Sequence, residues 1–129
     1  MIGYVTLGTN DLPKAAEFYD KVFEGIGAKR IYDYETFVAW STAEGGPIFS
    51  VVRPFDQNPA TVGNGTMIAL KVESSDTVNL LHAKALECGG QDEGAPGLRE
   101  SGFYCAYFRD LDGNKLNFFH IPVAVVNHL

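Results

Sequence analysis

The chain has 129 residues, 46% of them hydrophobic and 20% charged, with sixteen acidic against ten basic side chains and a net charge of −6. That length holds one domain or two small modules sharing a core, and the composition excludes a disordered acidic tail. The acidic excess argues against wrapping a nucleic-acid backbone, no apolar run approaches the ~18 residues of a spanning helix, and the start Met1-Ile2-Gly3-Tyr4 lacks the pattern of a secretory signal. Cys88 and Cys105 are too widely spaced for a CxxC pair, so both read as reduced thiols of a cytoplasmic protein.

Residues 4–8 alternate around Val5 and Thr6 and predict a strand. Asn10 or Asp11 then offers an N-cap oxygen, Pro13 suits a first helical turn, and Ala15, Phe18, Val22 and Ile26 recur at helical spacing until Gly25 and Gly27 stop the helix. Three strands are predicted over residues 29–34, 36–41 and 47–53, the first two joined as a hairpin around residues 33–35. Residues 44–47 form a turn, and residues 54–65, rich in Pro, Asn and Gly, form a loop.

The pattern then restarts. Residues 66–72 predict a strand, Ser74 or Ser75 caps a second helix striped by Val78, Leu81, Ala85 and Cys88, and Gly89-Gly90 ends it. Strands follow over residues 103–109 and 115–121, turned by Asp112-Gly113-Asn114, whereas residues 91–100 predict loop with at most a short strand. A displacement of 63 lays Leu7 on Leu70 and Gly27 on Gly90, and one of 68 lays Gly45 on Gly113 and Pro54 on Pro122. The chain is therefore a repeat, residues 1–62 and 63–129, of two modules that each have too little core to stand alone.

Three segments carry a resemblance: Tyr4-Val5-Thr6-Leu7-Gly8-Thr9-Asn10-Asp11-Leu12 with Phe18-Tyr19, Gly63-Asn64-Gly65-Thr66-Met67-Ile68-Ala69-Leu70, and Phe108-Arg109-Asp110-Leu111-Asp112-Gly113-Asn114-Lys115-Leu116. In order and spacing they resemble the vicinal oxygen chelate superfamily of glyoxalase I, bleomycin-resistance proteins and extradiol dioxygenases; Leu111 replaces the proline usual in the last motif. The resemblance implies an α+β fold of two βαβββ modules whose curved mixed sheets enclose a cup, with dimerisation often completing the site. Metal-dependent members hold a divalent ion by His and Glu side chains from the first and last strand of each module, donors suited to Fe, Mn, Ni or Zn.

Carried onto this chain, those four positions fall on Tyr4, Phe49, Met67 and Asn117. Phenyl offers no donor, a thioether prefers Cu(I), a phenol must lose a proton with a pKa of about 10, and a carboxamide is neutral. The expectation is that no metal is held and no cofactor is required. His82 reads as a helix-flank residue, His120 points to the opposite face from Asn117, and His128 lies in the tail, so the histidines rebuild no ligand set.

The cup lining implied by the resemblance is Tyr4, Thr6, Phe49, Met67, Ala69, Asn117 and Phe119, joined by Trp40 and Tyr104. It reads either as a small-molecule pocket or as a volume that Phe49 and Met67 fill. Asp110–Asn114 reads as a hairpin turn, since a calcium loop needs further ligands, and Cys105 as an inert thiol. The apolar residues 122–126 read as an extra edge strand or a patch covered by a partner, which with the resemblance implies a homodimer.

Three functions remain open: a metal-free binder of a small organic molecule, neutral or cationic by the −6 field; a divalent-metal lyase, isomerase or dioxygenase; and an accessory domain whose dimer surface is its function. No catalytic acid or base is nominated; Tyr4 and Asn117 are hydrogen-bonding groups toward a ligand.

Overall fold

The computed structural model describes residues 1–122. Each half runs strand, helix, three strands. The first comprises β1 (Tyr4–Gly8), α1 (Leu12–Phe23) with a 3-10 turn (Glu24–Ile26), β2 (Lys29–Asp33), β3 (Phe37–Ser41) and β4 (Ile48–Val52); the second comprises β5 (Ile68–Lys71), α2 (Ser75–Glu87), β6 (Gln91–Leu98), β7 (Tyr104–Arg109) and β8 (Lys115–His120). The two sheets have the same order, β1-β4-β3-β2 and β5-β8-β7-β6, with one parallel pair, β1/β4 or β5/β8, and the rest antiparallel. No helix among the described residues is long and apolar enough to cross a membrane.

The helices start where their caps demand. The Asp11 carboxylate accepts from the Lys14 amide at 3.1 Å, and the Ser74 hydroxyl accepts from the Thr77 amide at 3.1 Å, so each cap satisfies an orphan donor of the first turn. Gly27 closes the 3-10 turn with φ 69°, a left-handed conformation that suits glycine.

The predicted strands shift at their ends by one or two residues, and one segment differs outright. Residues 91–100 hold the eight-residue strand β6 rather than mostly loop. Pro96 is tolerated because β6 is the sheet's outer strand, where a missing amide donor interrupts no ladder on that side. Gly94 is required because a Cβ there would stand 2.9 Å from Cδ2 of Tyr107, whose ring lies over it. Register shifts between Asp92 and Gly94 and between Gly94 and Gly97 complete the irregularity that hides the strand from a period-two reading.

One apolar core joins the halves: Leu7, Phe18, Tyr19, Val22, Trp40, Phe49 and Val51 from the first, and Val78, Leu81, Ala106, Phe108, Leu116 and Phe118 from the second. Phe18 of α1 meets Phe108 of β7 at 6.3 Å between ring centroids. Each sheet thus turns the face bearing its helix toward the shared core and leaves its other face outside it. A buried polar knot also crosses between the halves. The Asp110 carboxylate accepts from the Tyr19 hydroxyl at 2.7 Å and from the Asn114 side chain at 3.0 Å, and its other oxygen accepts from the Asp112 and Asn114 amides. Asn114 donates onward to the Gly8 carbonyl at 3.0 Å.

Candidate functional site

Strand alternation assigns every candidate residue to one of the two faces. On the first sheet, the pairs Tyr4–Ile48 and Thr6–Ser50 point one way, while Val5–Phe49 and Leu7–Val51 point into the core. On the second, Ala69–Asn117 and Lys71–Phe119 share the outer face, while Ile68–Leu116 and Leu70–Phe118 face the core. Met67, immediately before β5, falls on the same outer side as Ala69 by alternation.

Three residues expected to line the cup stand on the wrong side for it. Phe49 is 7% exposed and packs its ring against Tyr19, Phe23 and Trp40 at 4.8, 5.2 and 6.3 Å. Trp40 belongs to the same cluster, and its indole N–H donates to the Asp20 carboxylate at 2.9 Å. Tyr104 faces α2, where its hydroxyl donates to the Asn79 side chain at 2.6 Å. The error in β4 is a single residue. Gly45 and Gly113 both turn with positive φ, 75° and 90°, but the first module inserts one more residue between glycine and strand. The counterpart of Asn117 is therefore Ser50, facing Thr6 as Asn117 faces Ala69. Aligning the apolar pair Phe49 and Val51 with Leu116 and Phe118, instead of glycine with glycine, gives the correct register.

The four positions that the resemblance singles out thus become Tyr4, Ser50, Met67 and Asn117. They do not fit a divalent ion. A phenol, an aliphatic hydroxyl, a thioether and a carboxamide bring neither imidazole nor carboxylate, and the Ser50 hydroxyl already donates to the Val5 carbonyl at 2.8 Å. Among the described residues no three His, Cys, Asp or Glu side chains come together to hold an ion. His82 is buried rather than flanking: its Nε2 lies 3.1 Å from the Asp92 carboxylate and 3.2 Å from the Tyr107 carbonyl, both acceptors, so it ties α2 to β6 and β7 as a donor. His120 pairs with Tyr104 across β7 and β8, on the face opposite Asn117. His128 and residues 123–126 of the apolar tail lie outside the described residues.

What remains outside the core is two surfaces of different character. The first is aromatic. Tyr4 is 69% exposed, and Tyr32, Tyr34 and Phe37 cluster with ring centroids 5.1–6.2 Å apart. A groove of about 1170 Å³ runs along Tyr4, Thr6, Phe37 and Phe55, and another of about 930 Å³ along Tyr4, Ile31, Tyr32 and Ile48; both are lined by first-module residues alone. The second surface is mixed. Phe119 stacks on Phe103 at 5.6 Å, Tyr107 carries Arg99 and Lys115 each 5.4 Å from its ring centroid, and Met67 is 38% exposed. Among them Asn117 is 4% exposed, and its side-chain oxygen finds no hydrogen-bond donor among the described residues. An unsatisfied buried acceptor costs about 1–3 kcal/mol.

The two deeply buried titratable groups with displaced pKa values lie elsewhere. Burial holds the Asp110 carboxyl above the usual carboxylate range despite the hydrogen bonds it accepts, and burial with the adjacent Asp110 holds the Tyr19 phenol well above its own. Both belong to the knot between the halves and touch neither outer face.

A family model described as the glyoxalase/bleomycin resistance protein/dioxygenase superfamily matches residues 1–118. A glyoxalase/bleomycin resistance protein from Albidiferax ferrireducens T118 is 31% identical, superposes with a TM-score of 0.87, and the match covers 95% of this chain and 99% of that one. Two more distant structures share the fold. One is the lactoylglutathione lyase of Agrobacterium tumefaciens, with TM-score 0.69, 18% identity, and 93% and 92% of the two chains covered. The other is TioX of Micromonospora sp. ML1, with TM-score 0.65, 21% identity, and 95% and 99% covered. No curated protein matches the chain. With the repeated βαβββ order, the two mixed sheets and a family match over nearly its whole length, the chain belongs to the glyoxalase/bleomycin resistance protein/dioxygenase superfamily.

Proposed function

We propose that this chain binds a small organic molecule on the outer faces of its sheets and does so without the family's divalent ion. The observation that carries the reading is the donor set at Tyr4, Ser50, Met67 and Asn117, in which every position is neutral and none is an imidazole or carboxylate. The outer faces supply what a binder uses instead: aromatic area at Tyr4, Tyr32, Phe37 and Phe119, and a few polar groups, the Asn117 amide foremost.

A second copy of the chain completes the cup in this reading. The aromatic grooves on the first sheet are open to solvent, and rings as exposed as Tyr4 call for cover. The first-sheet face of one copy and the second-sheet face of the other then enclose the ligand. A lyase, isomerase or dioxygenase acting through a divalent ion is the competing reading; the name of the Agrobacterium structure suggests it, but at 18% identity that structure shares only the fold.

The test is elemental analysis of protein purified without chelators, together with a melting-shift screen of small organic molecules and the molar mass in solution. The expected result is less than stoichiometric metal, a dimer, and stabilisation by a subset of the molecules. Tightly held stoichiometric Fe, Mn, Ni or Zn overturns the proposal, as does a screen with no stabilising member.

A further inference from the structure

The net charge of −6 suggests a neutral or cationic ligand, but the outer face of the second sheet has the opposite local character. Lys21, Arg30, Lys84 and Arg109 each pair with a carboxylate; six other cations have no carboxylate partner among the described residues, and three of these, Lys71, Arg99 and Lys115, gather on this one face. These three share the face of Asn117. Arg99 and Lys115 both lie against the ring of Tyr107, the cross-strand neighbour of Asn117 on β7. Lys71 stands two residues along β5 from Ala69, the neighbour of Asn117 on the other side. Glu93 of the adjoining β6 is engaged by Arg109 at 2.9 Å.

A small ligand that meets this surface encounters two demands. Three cations with no carboxylate partner among the described residues favour an anion. The buried Asn117 oxygen needs a hydrogen donor, and its first-module counterpart, Ser50, has no such need because it already bonds the Val5 carbonyl. The asymmetry places the polar end of the site on the second sheet. The Asn117 oxygen is enclosed, so a ligand must displace a neighbouring side chain to reach it, at a cost that relief of the unmet acceptor offsets.

We infer that the ligand is an organic carboxylate with a hydroxyl group close to the carboxylate. The carboxylate meets Lys71, Arg99 and Lys115, and the hydroxyl donates to Asn117. This inference rests on the small-molecule reading above and adds the chemical class.

The experiment measures melting shifts and calorimetric affinity at low salt for glycolate, lactate, mandelate and phenyllactate, each beside its primary amide. At least one acid is expected to bind while its amide does not, with affinity falling as salt is added. Lys71→Gln with Lys115→Gln weakens that acid by about tenfold or more, the size of one charge-assisted hydrogen bond, while Lys14→Gln on α1 leaves it unchanged. In Asn117→Ala the preference for mandelate over phenylacetate, which lacks the hydroxyl, disappears. Amides that bind as well as acids, or an unchanged affinity in the double lysine variant, overturn the inference and leave the small-molecule reading standing. Failure of all four acids also overturns it, and failure of the wider screen in addition removes the reading beneath it.

Discussion

Exchanging one residue for its neighbour on β4 provides a sharp test of which face bears the site. Phe49→Glu removes a side chain that is 7% exposed and touches the rings of Tyr19, Phe23 and Trp40. Loss of a buried phenylalanine costs about 3–5 kcal/mol, and the incoming carboxyl adds the cost of burying a group that is unpaired there. At about 4 °C per kcal/mol for a chain of this length, the melting temperature falls by about 12–20 °C or more. Ser50 faces the other way and is itself only 3% exposed, so Ser50→Ala, which adds no bulk, forfeits only the bond to the Val5 carbonyl, worth about 1 kcal/mol or about 4 °C. Thermal unfolding followed by circular dichroism compares the two. If Phe49→Glu does not fold, Phe49→Ala replaces it, and its cost should still exceed that of Ser50→Ala. Equal losses, or a larger one at position 50, refute the face assignment and return Phe49 to the cup.

Tyr19→Phe removes a charge-assisted bond of 2.7 Å to a buried carboxylate and is expected to cost about 1.5–3 kcal/mol near neutral pH. Because burial raises the Asp110 pKa in the folded state, the native chain holds more protons than the unfolded one between the ordinary and the raised value, so the contribution of Asp110 to stability falls as pH rises through that window. Tyr19→Phe deletes a bond that restrains the rise, so its cost in urea unfolding should grow from pH 4 to pH 7; a pH-independent cost contradicts the account. Gly90→Ala would put a Cβ 2.8 Å from the Ala85 carbonyl oxygen and 3.0 Å from that of Arg109, both backbone atoms, and should destabilise by about 1–3 kcal/mol in the same assay.

Much of the fold was written in short-range pattern. The Asp11 and Ser74 caps, the stripe from Ala15 to Val22 and the turn at Gly113 each follow from rules that act within a few residues, and the repeat of those signals implied two like modules. Strand β6 escaped because its irregularities depend on other parts of the fold. Gly94 answers to the ring of Tyr107, and Pro96 to the vacant side of an outer strand. His82 was likewise misplaced on the flank of its helix, since its partners Asp92 and Tyr107 come from strands that follow.

The candidate site was legible in kind and wrong in detail. That Tyr4, Met67 and Asn117 bring no imidazole or carboxylate is a property of side chains, so the sequence alone determined it. Whether Phe49 or Ser50 shares their surface was decided by pairing with β1, because a strand turned by one residue sends its whole set of side chains to the other face. The orphaned oxygen of Asn117 and the cations around it likewise required the assembled sheet. Lys71, Arg99 and Lys115 are separated along the chain by whole elements, and only the pairing of β5, β8 and β7 sets their charges on one surface, against the sign of the chain as a whole.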